Sequence, residues 1–361
     1  MTIARFAVHL VLAAGLIGVA VSSRAAQFGD VSVLAQVPAP GFPEGIAVKG
    51  DRVYVAGPAT LGTSINNQAS RVWEYSATSG QLTRTFLTQG EQVLGAEHAN
   101  SCVAFDGQGR LYVLNSQIGP YRLDVATGVQ TSYGPPIPDL NPCLPTDGPQ
   151  AECTTSTGVT PPLPNDLAFD ELGNLYVTDS MQATIFRIPA GGGPAKVWFH
   201  DYRLFGPYIG VNGLRLSPDR TKIFISVTND VLGIGRIYTL PVVDAPKATD
   251  LQIFHNYILA EGPDGIAFGA SGKLYVTLAL PGSSGISVLN PDGSEVARIK
   301  NPLLSLTKPF DAPANLAFDG KGNVLVTNHA FATGLLLPKQ FQILKVFVDD
   351  VASPLVAPLV P

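Results

Sequence analysis

Glu44, Asn165, Asn212 and Asp264 occupy one place in four copies of a recurring phrase. The copies read PEGIAV from residue 43, PNDLAF from 164, VNGLRL from 211 and PDGIAF from 263. Two more copies, NSCVAF from 100 and PANLAF from 313, put Ser101 and Ala314 in that place. Side chains at one place of a repeat converge when the repeats surround an axis. Two carboxylates and two carboxamides are hard oxygen donors. They suit Ca2+, which takes about six to eight oxygens, and another divalent cation could use the same set. The column holds no His or Cys, which argues against zinc or copper. Asn, Asp and Gly also begin strands after turns, but that habit would put polar residues in all six copies, and it does not favour Glu.

The elements that must position this column follow from the rest of each copy. A short apolar strand is followed by a Gly-containing turn and then by a β-branched, aromatic strand, as in LAF-DELGN-LYVTD. Further strands such as TIFRIP, GRIYTLP and GISVLNP bring each copy to about four strands. Successive copies lie 57, 64, 47, 52 and 50 residues apart. Strand repeats of this length predict an all-β, six-bladed β-propeller. In a propeller the innermost strands line the channel, so the column becomes a ring. The last strand-like run, FQILKVFVD from 341, leaves the sixth blade one strand short. The run DVSVLAQV from 30 has no blade of its own, and it is expected to close the ring as the missing outer strand. The propeller is one domain over residues 26–350, with a tail at 351–361. Insertions at 57–70 and about 134–163 are expected to be loops on one face.

Residues 1–25 read as a secretory signal. A basic start precedes the sixteen-residue apolar run FAVHLVLAAGLIGVAV and the small-residue site in SSRAAQ. The run is shorter than the roughly 20 residues needed to span a bilayer. The expected product is exported, periplasmic or secreted, and free of the membrane once cleaved. Loss of Arg5 and Arg24 with the signal moves the net charge from −5 to −7. No basic stripe suggests nucleic acid. Cys143 and Cys153, ten residues apart in a Pro/Gly-rich stretch, are expected to form a disulfide. A zinc site there would need a His or a third Cys, and none lies in that stretch. Cys102 is expected to be a buried free thiol.

With its six copies and its Glu-Asn-Asn-Asp column, the chain resembles the SMP-30/gluconolactonase family over about residues 30–350. That resemblance implies a catalytic Ca2+ at the bottom of the central pocket, held by Glu44, Asn165, Asn212 and Asp264. It implies Asp264 as general base or nucleophile as well. The function implied is hydrolysis of a small-molecule lactone or related ester. Two other readings stand beside it: a binding propeller with a structural ion, and a strictosidine-synthase-like enzyme that works without metal. The ring counts against the second of these. His98 and His329 lie near strand ends and are candidate proton shuttles. His200 and His255 fall between blades and read as structural. Asp166 and Asn315, in the next column, are candidates to stand behind the ligands. Phe205, Tyr208 and the FATGLLLP stretch from 331 suggest an apolar mouth that favours a lipophilic substrate.

Overall fold

The structure is a computed structural model, and it describes residues 24–59, 68–92, 98–156, 161–331, 333–334 and 336–361. Nearly all of the expected signal, and the centre of the first insertion, lie outside the described residues. Among the described residues no helix is long and apolar enough to cross a membrane.

The strands form six four-stranded antiparallel sheets. After β1 (Val31–Gln36), blade one comprises β2 (Ile46–Lys49), β3 (Arg52–Gly57), β4 (Arg71–Ser76) and β5 (Leu82–Leu87). Blade two comprises β6 (Asn100–Phe105), β7 (Leu111–Asn115), β8 (Tyr121–Leu123) and β9 (Gln130–Ser132). Blade three comprises β10 (Pro164–Phe169), β11 (Leu175–Asp179), β12 (Thr184–Ile188) and β13 (Lys196–His200). Blade four comprises β14 (Val211–Leu216), β15 (Lys222–Val227), β16 (Ile234–Pro241) and β17 (Gln252–Leu259). Blade five comprises β18 (Pro263–Phe268), β19 (Leu274–Leu278), β20 (Gly285–Leu289) and β21 (Glu295–Lys300). Blade six comprises β22 (Pro313–Phe318), β23 (Asn323–Asn328) and β24 (Gln342–Phe347), with β1 outside β24. The pairing runs from Val31 opposite Val346 to Gln36 opposite Gln342, so the N-terminal strand does close the six-bladed propeller.

Packing explains the sequence pattern. The second strand of a blade has neighbouring blades on both faces. Thus β7, β11 and β19 are buried along their whole length, and each opens on the unbroken apolar run LYV. The outer strand β5 faces solvent and carries the polar run Thr83, Arg84 and Thr85, with only Phe86 buried. The apolar core lies in six clusters, one at each seam between blades. At the seam of blades three and four, for example, Tyr176 and Trp198 meet Leu214 and Ile223.

Each innermost strand touches the next around the axis. The approach is close enough to dictate side chains. A Cβ on Gly45 would lie 2.4 Å from the Cα of Cys102, and one on Gly265 would lie 2.6 Å from the Cα of Asn315. The tail crosses the far mouth of the channel. Ala352 pairs with Gly269, Gly107 N–H donates to Pro358 O at 2.8 Å, and Val360 is fully buried at the seam of blades two and three.

Candidate active site

The ring expected from the repeat is real in space. Glu44, Ser101, Asn165, Asn212, Asp264 and Ala314 all line one cavity of about 360 Å³ at the starting end of the innermost strands. A break in strand pairing aims them inward. In β10, β14, β18 and β22 the register shifts between Pro164 and Leu167, Val211 and Leu214, Pro263 and Ile266, and Pro313 and Leu316. The column residue sits inside that bulge, which turns its side chain off the sheet and into the channel.

A hydroxyl on the second strand pins the bulge. Thr178 donates to Asn212 O (2.5 Å), Ser226 to Asp264 O (2.6 Å), Thr277 to Ala314 O (2.7 Å) and Thr327 to Glu44 O (2.5 Å). In each case the acceptor belongs to the next blade. Thr178, Ser226 and Thr327 also accept an N–H from the bulge of their own blade, from Asp166, Gly213 and Asn315. One hydroxyl thus sets the ring residue of one blade against the bulge of the previous one. The signal for this was in the sequence, as the Thr or Ser near the end of LYVTD, IFISV, LYVTL and VLVTN.

The donor orientation is set by hydrogen bonding. Thr228 donates its hydroxyl to Pro263 O at 3.0 Å and accepts Asn212 Nδ2 at 2.9 Å. The Asn212 Oδ1 is therefore turned the other way, and it is buried with no partner. Asn229 Oδ1, also on the cavity wall, is buried without a partner as well. Unpaired buried acceptors are uncommon and call for a reason. Glu44 and Asp264 are buried beside them, while Asn165 is half-buried. Burial pushes the Glu44 carboxyl well above the usual range, and the charges of Asp264 and Asp166 add to the rise. Burial does the same to Asp264, again helped by Asp166. No Lys or Arg is among the described lining residues. The two buried carboxyls, the orphaned Asn212 oxygen and the carboxamide of Asn165 on the same cavity wall are hard oxygen donors of the kind that fits a divalent cation.

His329 lines the cavity, and His98 does not. His329 Nε2 lies 2.6 Å from Ala59 O and 3.5 Å from Glu44 Oε2. Burial lowers its pKa to about 4, so the ring is neutral at neutral pH. The carbonyl contact requires a proton on Nε2. His98 is buried with Nε2 2.7 Å from Gln68 O, so its place is in the wall of blade two rather than at the ring. His255 contacts Gly293 O at 2.8 Å and packs on Tyr257, as a structural residue would.

Asp166 lies beneath the ring, fully engaged. It accepts from Leu214 N–H, Arg215 Nη1 (2.7 Å), Leu167 N–H and the Cys102 thiol. Arg215 also reaches Asn315 Oδ1 at 3.4 Å. The expected free thiol, Cys102, is buried here, and burial beside Asp166 pushes its pKa up. Among the apolar residues expected at the mouth, Tyr208 and Phe331 line the cavity with Leu163, Ile209, Leu280 and Pro281. Phe205 does not, and stacks on Tyr202 instead. Asn229 and Asp311 are wall residues that the repeat column missed, because both sit in loops outside it.

Fold and site together define a six-bladed propeller with an oxygen-lined pocket on its axis. The family model for the SMP-30/Gluconolactonase/LRE-like region matches residues 55–323, and the chain belongs to that family. It is 28% identical over 182 residues to a gluconolactonase of Zymomonas mobilis subsp. mobilis. That match covers 45% of this chain and 46% of the relative, so the chain spans less than half the length of that relative. The fold is shared with a calcium-binding protein, regucalcin, from Agrobacterium tumefaciens (TM-score 0.61, 18% identity, 91% of this chain and 96% of that one). It is shared with a luciferin-regenerating enzyme too (TM-score 0.57, 14% identity, 91% and 99%).

Proposed function

We propose that the protein is a divalent-metal-dependent hydrolase of a lactone or related ester, with Ca2+ as the cation the site fits best. The observation that carries this reading is the buried, unpartnered Asn212 Oδ1 beside the buried carboxyls of Glu44 and Asp264. Family membership, the gluconolactonase relative and the calcium-binding structural neighbour point the same way.

The cation would be held by Glu44, Asn165, Asn212 and Asp264, and when bound it would supply a Lewis acid for the substrate's carbonyl oxygen. Asp264 is the candidate general base. Ionised, it takes a proton from the attacking water. Its main chain is fixed by the Ser226 hydroxyl, which limits how far the carboxylate can wander. The neutral His329 stands beside Glu44, with Nε2–H held by Ala59 O. Any proton it relays therefore passes through Nδ1. The walls of Leu163, Ile209, Leu280 and Phe331 exclude water and receive an apolar substituent. With no Lys or Arg among the described lining residues, a neutral lipophilic lactone suits the pocket better than an anionic one.

The test is a panel of alkyl lactones, glucono-lactone and aryl esters, assayed with and without chelator and on Asp264→Asn. Turnover should need added Ca2+. Asp264→Asn should lose at least about a hundredfold in kcat at saturating Ca2+, because an amide takes no proton. Turnover that survives both chelation and Asp264→Asn would overturn the metal-dependent mechanism, and no turnover on any member of the panel with Ca2+ present would replace this reading with that of a binding propeller.

A further inference from the structure

The second insertion contains a cluster that takes no part in the channel. Cys143 and Cys153 are joined as a disulfide, with Cα atoms 4.9 Å apart. His200, the last residue of β13, points its ring at both sulfurs. Its Nε2 lies 3.6 Å from Cys143 Sγ and 3.7 Å from Cys153 Sγ. Asp147 Oδ2 lies 3.6 Å from Cys153 Sγ. None of the four lines the axial cavity.

The two imidazole distances match a tetrahedron. With Zn–S of about 2.3 Å and Zn–N or Zn–O of about 2.0–2.1 Å, tetrahedral ligand atoms lie about 3.6 Å apart for N···S and O···S pairs. The imidazole therefore already stands where a zinc centre needs it, and Cys143, Cys153 and His200 offer ligand atoms that all lie within 4.8 Å of one another. Only the two sulfurs must part, to about 3.8 Å. The loop that carries them is held without the disulfide. Cys143 N–H donates to Thr154 O at 2.9 Å, and His200 N–H to Pro149 O at 2.9 Å. Gln150 Nε2 donates to Pro246 O at 2.6 Å.

We propose that in the dithiol state Cys143, Cys153 and His200 form a Zn2+ site whose fourth position is taken by water, so that this insertion holds either a disulfide or a zinc ion. A dithiol reductant passes two electrons and two protons to the S–S bond and itself closes to a disulfide, which leaves two thiols on the protein. Zn2+ binding releases those two protons and forms two Zn–S bonds, with His200 Nε2 and a water completing four ligands. A two-electron oxidant reverses the change and frees the ion.

The experiment uses the full chain carrying Glu44→Gln and Asp264→Asn, which weaken the axial site. Half is reduced with a dithiol and desalted without oxygen, and half is left oxidised. Zn2+ is then titrated in competition with a chromophoric chelator. The reduced chain should bind one more Zn2+ than the oxidised chain. Co2+ in its place should give a thiolate charge-transfer band that Cys143→Ser weakens. His200→Gln should cut Zn2+ affinity about tenfold or more, while its oxidised form melts as the parent does. Equal zinc content in the two redox states, no such band, or an unaltered affinity in His200→Gln overturns the proposal. If reduction unfolds the chain, Zn2+ should restore its melting transition, and failure to do so overturns the proposal as well.

Discussion

His329 offers the sharpest test at the scale of single residues. Its folded pKa of about 4 lies below the ordinary value of about 6.5 that it has when unfolded. Between those values the unfolded chain binds the proton and the folded chain does not. The contribution is thus present above pH 6.5 and is lost as pH falls towards 4. Its full size is about 3 kcal/mol. Glu44 and Asp264 shift upward, so their protonation favours the fold over acidic pH and partly masks the loss. The difference between wild type and His329→Gln cancels that common part. In chelator, urea unfolding from pH 7 to pH 4 should show wild type losing more stability than His329→Gln. Parallel pH curves would mean that the imidazole is not held neutral. A complementary result is expected for Glu44→Gln. It keeps shape and removes charge, so Ca2+ affinity measured by calorimetry should fall while the melting temperature in chelator rises, because a buried repulsion is removed.

At the scale of elements, the hydroxyl clamps decide whether the ring holds its shape. Thr327 ties Asn315 N–H of blade six to Glu44 O of blade one, and this is the seam where the chain's two ends meet. Thr327→Val keeps the volume and removes both bonds, leaving two buried backbone groups without partners. The expected loss is about 2–4 kcal/mol, with Thr327→Ser restoring most of it. Ca2+ affinity should fall with it, since the main chain of Glu44 is no longer anchored. Unfolding free energies within about 0.5 kcal/mol of wild type would mean that the seam does not depend on the clamp. The bulges themselves were legible only in part. The phrase PNDLAF shows where a strand begins, but that Asn165 and Asp166 fall out of register follows from their pairing with β11, which no local pattern records.

At the scale of the molecule, the two chain ends do different work. β1 covers the edge of β24, and residues 351–361 cover the far mouth of the channel. Truncation after Asp350 removes the buried Val360 and its carbonyl's bond from Arg110 at 2.6 Å. The axial ring lies at the opposite end of the innermost strands. The truncated chain should therefore melt lower yet keep its Ca2+ affinity. A loss of Ca2+ affinity at unchanged melting temperature would mean that the two mouths are coupled. Strand number, blade count, the closing role of β1, the axial column and the Cys143–Cys153 pair were all readable from residue order. Each depends on chain-local pattern or on one rule applied six times, that equivalent residues of a ring face its axis. The rest needed the packed blades. Asn229 and Asp311 reach the cavity from loops, and His98 turns away from it, because loop paths are set by the blades they cross. Asn212 turns its oxygen away from Thr228 because that hydroxyl is engaged by Pro263 of the next blade. His200 meets Cys143 across 57 residues because β13 ends beneath that loop. Such contacts join segments whose separation in sequence carries no period, so only the folded ring could bring them together.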